Sequence, residues 1–332
     1  MKRLLTGLFA ATMLTMPALA QDDYQPAVIY DLGGKFDKSF NEAAYNGAQK
    51  FADETGVEFR DFELQNDSQR EQALRRFADD ENNPIVMAGF AWASVLEKVA
   101  PDYPDTHFVV IDTVVEQPNV GSIVFKEAEG SYIVGVLAAM ASKSKTVGFI
   151  GGMDVPLIRK FGCGFVGGAK AGGATKVLYT MTGDTPSAWN DPTKGGEIAR
   201  SQFDQGSDVV YHAAGGTGIG VLQAAADAGK LGIGVDSNQN GLHPGKVLTS
   251  MVKGVDTAVY DALKTGQAGE FKTGVTNLGL KEGGVSYALD ENNAALITDE
   301  MKVKAEEIQA QIVSGELVVH DYMTDNKCPY QD

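Results

Sequence analysis

From Ala27 to Asp236, short apolar runs alternate with stretches of helical periodicity, and this alternation is the strongest constraint on the fold. The runs lie at 27–30, 57–62, 85–88, 107–111, 146–150, 176–181, 208–213 and 232–235. Runs this short, bounded by turn residues and interleaved with helices, predict an α/β chain with parallel sheets covered on both faces. They fall into two sets of similar size. Four later elements, at 247–250, 255–265, 285–289 and 298–314, are too few for a third domain and are expected to complete the two earlier sheets. The expected organisation is an N-terminal lobe of 21–142 and 247–280, a C-terminal lobe of 143–246 and 281–332, and a cleft between them.

The first twenty residues are read as a signal peptide. Lys2 and Arg3 form a charged start, an apolar run continues to Met16, and Ala18-Leu19-Ala20 is a small-residue cleavage site. No Cys follows the cleavage site, so the expectation is a freely diffusing exported protein rather than a lipoprotein. Cleavage leaves about 310 residues, more than one small domain, and takes the formal charge from −16 to −18 by removing Lys2 and Arg3. A chain this acidic is a poor partner for nucleic acid or an anionic membrane. The only cysteines, Cys163 and Cys328, would sit in an oxidising compartment and are expected to form one disulfide, the alternative being two buried thiols. The four histidines show no metal-ligand spacing, and neither metal nor cofactor is expected.

Residues 31–47, DLGGKFDKSFNEAAYNG, carry the first strand into a Gly-Gly turn and then a helix. Ser39 and Glu42 stand at capping-box spacing, while Phe40, Ala44, Gly47, Ala48 and Phe51 give the helix one apolar face. Phe40 and Asn41 then fall at the carboxyl edge of a strand, where open α/β sheets bind small molecules. On spacing alone Phe40 is equally well a core residue, and Asp37 and Asn41 ordinary turn formers. Asp112 and Asp236 also end strands and are placed to accept hydrogen bonds from ribose hydroxyls, although a lone strand-end Asp is more often a helix cap. Gly151-Gly152 and Gly215-Gly216 allow close backbone approach to a ligand. Trp189, just before the helix-starting Asn190-Asp191-Pro192, stands at the mouth of the second set as Phe40 stands at the mouth of the first.

Catalytic signatures are missing. GGTGIG follows a strand, but with Gly216 and Gly218 in register the dinucleotide fingerprint requires Gly where Val221 stands. The chain contains no P-loop, no H-E-x-x-H and no G-x-S-x-G. A dehydrogenase is therefore a weak alternative.

Five segments in order, DKSFNEAAYNGA, GFIGGMDVPLIRKFGCGF, AAGGTGIGVLQAA, GVDSNQN and LTSMVKGVD, resemble the basic membrane protein family of ABC-transporter substrate-binding proteins, whose better-known branch binds purine nucleosides. The resemblance covers essentially the mature chain. It implies a type I periplasmic-binding fold, two Rossmann-like lobes joined by three crossovers, no catalysis, and a monomeric receptor that serves an ABC-transporter permease. It also implies a ligand stacked between aromatics, with Phe40 as first stacking residue and Asp37 and Asn41 beside the base. Asp112 would stand at the base edge, Asp236 and Lys253 would hold the ribose, and Gly215 or Gly216 would offer backbone contacts. Some nucleoside-binding members carry a second aromatic where this chain has Ala213-Ala214. Trp189 is expected to take over that stacking role, and riboflavin stays open as the ligand of a related class of members. An exported nucleoside-processing enzyme and a receptor that docks on a sensor are the remaining alternatives.

Overall fold

The computed structural model describes residues 24–331. The signal peptide expected over 1–20 and its cleavage after Ala20 lie outside the described residues. Two six-stranded sheets form the frame. The first contains β1 (Ala27–Tyr30), β2 (Arg60–Glu63), β3 (Ile85–Met87), β4 (Phe108–Ile111), β5 (Val120–Phe125) and β11 (Gly274–Leu278), in the order β11-β5-β4-β3-β1-β2. All of its neighbours pair in parallel. The second contains β6 (Thr146–Met153), β7 (Lys176–Gly183), β8 (Val209–Ala213), β9 (Leu231–Asp236), β10 (Val247–Lys253) and β12 (Val285–Tyr287), in the order β12-β10-β9-β8-β6-β7. Only β12 runs antiparallel to its neighbour.

The strands read as continuous apolar runs because both faces of each sheet are covered. In β1, Val28 and Tyr30 join one core cluster while Ala27 and Ile29 join the other with Leu74, Phe77 and Trp92. The covering helices are α1 (Phe40–Thr55), α2 (Arg70–Asp79), α3 (Ala93–Val99) and α8 (Val255–Gln267) in the first lobe. Those of the second are α4 (Glu127–Ala141), α5 (Pro156–Ala171), α6 (Pro192–Asp204), α7 (Thr217–Asp227) and α9 (Asp299–Ser314). Helices α1 and α8 touch backbone to backbone at Gly47, where a Cβ would lie 2.1 Å from the carbonyl oxygen of Asp256.

The chain passes between lobes three times: from β5 to α4, from β10 to α8, and from β11 to β12. Two expected boundaries move accordingly. Helix α4 packs on α5 and on the second sheet, so the first crossing falls at Lys126 rather than at 142. Strand β10 pairs with β9, so the second crossing falls after Lys253 rather than before Val247. Both segments are apolar, and periodicity reports that a segment is buried without reporting on which sheet.

The expected capping box is absent: Ser39 makes no side-chain cap to α1. Asp37 does this work, its Oδ1 accepting from the N–H groups of Ser39 (2.8 Å) and Glu42 (3.1 Å) and its Oδ2 from Asn41 N–H (3.1 Å). Asp191 caps α6 by accepting from Lys194 N–H at 2.9 Å, and Thr298 caps α9 through Met301 N–H. Cys163 of α5 is bonded to Cys328 with their Cα atoms 5.6 Å apart, which straps the C-terminal segment onto α5. Among the described residues no helix is long and apolar enough to cross a membrane.

Candidate functional site between the lobes

The carboxyl ends of both sheets open onto one cleft, the position at which open α/β sheets bind small molecules. Asp37, Phe40, Asn41 and Asp112 line it from the first lobe, and Trp189, Gly215, Asp236 and Lys253 from the second. Gly216 lies behind this lining, against the carbonyl oxygen of Trp189. The cleft also takes Asp31 and Phe90 from the first lobe, and Leu157, Ile158 and Phe161 from the start of α5. Asp31 ends the first strand and was accessible to the same strand-end reasoning as Asp112. Leu157 and Phe161 carry the periodicity of a core-facing stripe, which does not distinguish burial in a core from burial in a cleft.

Not every polar group here is free to meet a ligand. The Asn41 amide braces the turn before it: its Nδ2 donates to the carbonyls of Asp31 and Gly34, both at 3.1 Å, and its Oδ1 accepts from Asp31 N–H at 3.0 Å. Asp31 is in turn ion-paired with Arg70, itself buried against the Trp92 ring. Asp37 is committed to α1, as described above. Burial pushes its carboxyl up to about 7 against the three N–H donors, and nearby Asp236 adds to the rise.

The charged centre is Lys253, at the end of β10. Its Nζ stands 2.6 Å from Asp112 Oδ2 and 3.2 Å from Glu127 Oε1, with the rings of Phe40, Phe125 and Phe161 at 5.0, 5.1 and 5.5 Å. Glu127, the first residue of α4, reaches on through Oε2 to Lys160 Nζ at 2.8 Å. Lys160 also donates to the Phe125 carbonyl at 2.6 Å and approaches Asp321 of the strapped C-terminal segment at 3.5 Å. Burial alone would lower the Lys253 ammonium, but the carboxylates of Asp112, Glu127 and Asp236 outweigh it and keep it charged. Burial likewise would raise Glu127, and the two lysines hold it below its ordinary range. Sequence inspection singled out Asp112 and Lys253 but not Glu127 or Lys160, which act one residue removed from the cleft and belong to no motif.

Asp112 and Asp236 share a backbone feature. Both hold left-handed conformations, with φ of 73° and 63°, uncommon for residues other than Gly and best tolerated by Asp and Asn. Each stands at a strand tip, and both line the cleft. Burial raises both carboxyls, with Lys253 opposing the shift in each. Asp112 Oδ1 is buried and has no hydrogen-bond partner among the described residues. An unpaired buried acceptor is costly unless something donates to it, so the cleft presents one acceptor awaiting a donor.

Trp189 ends a short 3-10 helix, Pro186–Trp189, whose Ala188 carbonyl accepts from the Thr217 hydroxyl at 2.7 Å and the Thr182 hydroxyl at 3.1 Å. Its indole lies flush on the second sheet, where a Cβ on Gly152 would fall 2.2 Å from Cζ3. Gly152→Ala is therefore expected to push the ring off its seat. The measurable result is a shifted Trp189 emission, with Trp92, buried in the first lobe's core, serving as an internal constant. An unaltered spectrum would show that the ring is not held by this contact. His212, next to Ala213, faces away from this lining. It is buried, paired through Nε2 with Gln239 Oε1 at 2.9 Å, and pushed down to about 4 by desolvation, hence neutral.

Comparison with known proteins fits this arrangement. Residues 25–321 match the family model described as ABC transporter substrate-binding protein PnrA-like. The chain belongs to this family. An uncharacterized lipoprotein of Pyrococcus abyssi is 36% identical over 79% of this chain and 68% of its own length. The ABC transporter nucleoside-binding protein BmpA of Lactococcus lactis is 32% identical over 90% of this chain and 89% of its own. An ABC transporter solute-binding protein from Aeropyrum pernix K1 superposes with a TM-score of 0.82 at 30% identity, covering 90% of this chain and 94% of that one. The two-lobed architecture is thus that of periplasmic solute-binding proteins, and its place in an ABC-transporter family assigns the protein a small-molecule ligand and a permease partner.

Proposed function

We propose that this protein is a periplasmic receptor that encloses a purine nucleoside between its lobes and delivers it to a permease. The carrying observation is the convergence in one cleft of two aromatic side chains, Phe40 and Trp189, with a buried unpaired acceptor, Asp112 Oδ1, and the Asp236 carboxylate. A planar base meets aromatic faces, each contact contributing about 1 kcal/mol beyond area burial. Ribose hydroxyls and base N–H groups supply the donors that the carboxylates lack. The charge balance favours an uncharged ligand, because Lys253, the cation of the cleft, is already engaged by Asp112 and Glu127. The name of the Lactococcus relative supports the same reading. The Pyrococcus relative is named a lipoprotein, so the freely diffusing form expected from the sequence is not carried by the comparisons.

Calorimetric titration of the mature protein with adenosine, guanosine, inosine, uridine, ribose and riboflavin tests the assignment. The expected result is binding of intact purine nucleosides. Binding of riboflavin or ribose alone would retain the receptor and remove the ligand. Recovery of free base after prolonged incubation would instead favour a nucleoside-processing enzyme. Asp236→Ala is expected to weaken nucleoside binding by about 1–3 kcal/mol, since it leaves ribose donors unpaired in a buried site. Unchanged affinity in that variant would remove Asp236 from the contact set.

A further inference from the structure

We infer that Ser39 locks the closed cleft, by reaching from the first lobe to Asp236 of the second and holding that carboxylate in its cleft-facing position. Sequence spacing assigned Ser39 to capping α1, yet Asp37 satisfies the helix N-terminus and leaves the Ser39 hydroxyl free for another partner. That hydroxyl, fully buried, donates to Asp236 Oδ2 at 2.6 Å and lies 3.3 Å from the Val235 carbonyl. Two further bonds cross the cleft at the same point. The Ser237 hydroxyl donates to the Ser39 carbonyl at 2.8 Å, and Gln239 Nε2 donates to the Lys38 carbonyl at 2.8 Å.

The second-lobe side of this contact is rigid. Gln239 Oε1 accepts from Val235 N–H at 2.9 Å, and Gln239 N–H donates to the Ser250 hydroxyl, also at 2.9 Å. Asp236 itself is fixed in the left-handed conformation described above. Residues 38 and 39 of one lobe therefore close onto a preformed edge at 235–239 of the other. One Asp236 oxygen is committed to closure while the residue also lines the cleft. Closing the lobes and orienting the ligand's acceptor are then a single event, because Asp236 loses its Ser39 donor whenever the lobes part. Hydrogen bonds to charged groups are the stronger kind, which makes this bond the natural weight-bearing member of the three.

This inference rests on reading Asp236 as a ligand contact, but its test separates the two. Ser39→Ala removes only the hydroxyl and leaves the Asp37 cap in place, so the variant should fold, and a thermal melt checks that it does. Small-angle scattering of wild type and variant, each without ligand and with saturating adenosine, reads the spread of the lobes. Stopped-flow Trp189 fluorescence reads adenosine release. The expected result is a larger radius of gyration for Ser39→Ala than for wild type in the same ligand state. Adenosine release should be about tenfold faster with little change in association, the size expected for one charge-assisted bond. Ser237→Ala should shift both readouts in the same direction by less, and it serves as the probe if Ser39→Ala proves unstable. Superimposable scattering in both states together with equal release rates would overturn the proposal. If wild type binds no adenosine, the nucleoside reading fails and the ligand-free scattering alone decides the fate of the lock.

Discussion

Replacing Lys253 by methionine is expected to lower the unfolding free energy by about 3–5 kcal/mol at pH 7, the typical cost of removing one partner from a buried ion pair. Methionine keeps most of the volume and the contacts with Phe40, Phe125 and Phe161, so the loss isolates the charge. The carboxylates of Asp112 and Glu127 would be left buried without the cation they share, and that of Asp236 without the opposing charge that now restrains its rise. The pH dependence has a definite sign. Without Lys253, the folded-state pKa values of Asp112 and Asp236 rise further above their unfolded values near 4, and Glu127, now held low by Lys253 and Lys160, moves up as well. An acid raised on folding stabilises the fold increasingly as pH falls. The deficit of Lys253→Met should therefore be largest at pH 7–8 and narrow toward pH 5. Urea melts of wild type and variant at pH 5 and pH 8 measure this. An identical deficit at both values would show that packing, rather than charge, makes Lys253 indispensable.

The second large effect concerns the strap on α5. The Cys163–Cys328 bond closes a loop with a sequence separation of 165, for which chain entropy predicts about 5 kcal/mol of stabilisation. A double Cys163→Ala, Cys328→Ala variant is expected to lose about 3–5 kcal/mol in urea denaturation, since residual structure in the unfolded chain trims the ideal figure. The loss should be accompanied by faster proteolysis within residues 316–331, the segment the bond holds down. If the midpoint does not move, the segment is secured by its other contacts with α5, among them the Asp321–Lys160 approach and the Tyr330 ring against Gly167.

The sequence made the architecture legible where local pattern and tertiary role coincide. Strand tips at Asp112 and Asp236 and the helix start at Phe40 were all visible because each apolar run ends abruptly in polar or glycine residues. Two strands escaped notice for opposite reasons. Strand β5, VGSIVF, is buried but interrupted by Gly and Ser, while β11 is an exposed edge with no apolar alternation to announce it. The first sheet therefore gained two members that only pairing with β4 and β5 reveals. At the site, residue type was legible and assignment of partners was not. Ser39 has the right spacing for a cap, but Asp37 competes for the same N–H groups with a charged acceptor and wins them. Glu127 looks like any acid in a helix's first turn. Its meaning comes from Lys253 and Lys160, more than a hundred and more than thirty residues away respectively, a distance over which no local pattern reports.

The order in which the chain visits the two sheets also bears on how the protein is made. Strand β11 pairs with β5 but is synthesised only after every strand from β6 to β10, and β12 and Cys328 come later still. Neither lobe is a contiguous piece of polypeptide, so neither can mature as an independent unit while the chain is being extended. No single cut would release a lobe with all its strands. Until the last fifth of the sequence has emerged, the first sheet keeps a bare edge at β5 and the second keeps one at β10, open to pairing with other chains. A polypeptide laid out in this way is well matched to a route in which it is moved across a membrane unfolded and assembles afterwards, all at once, on the far side.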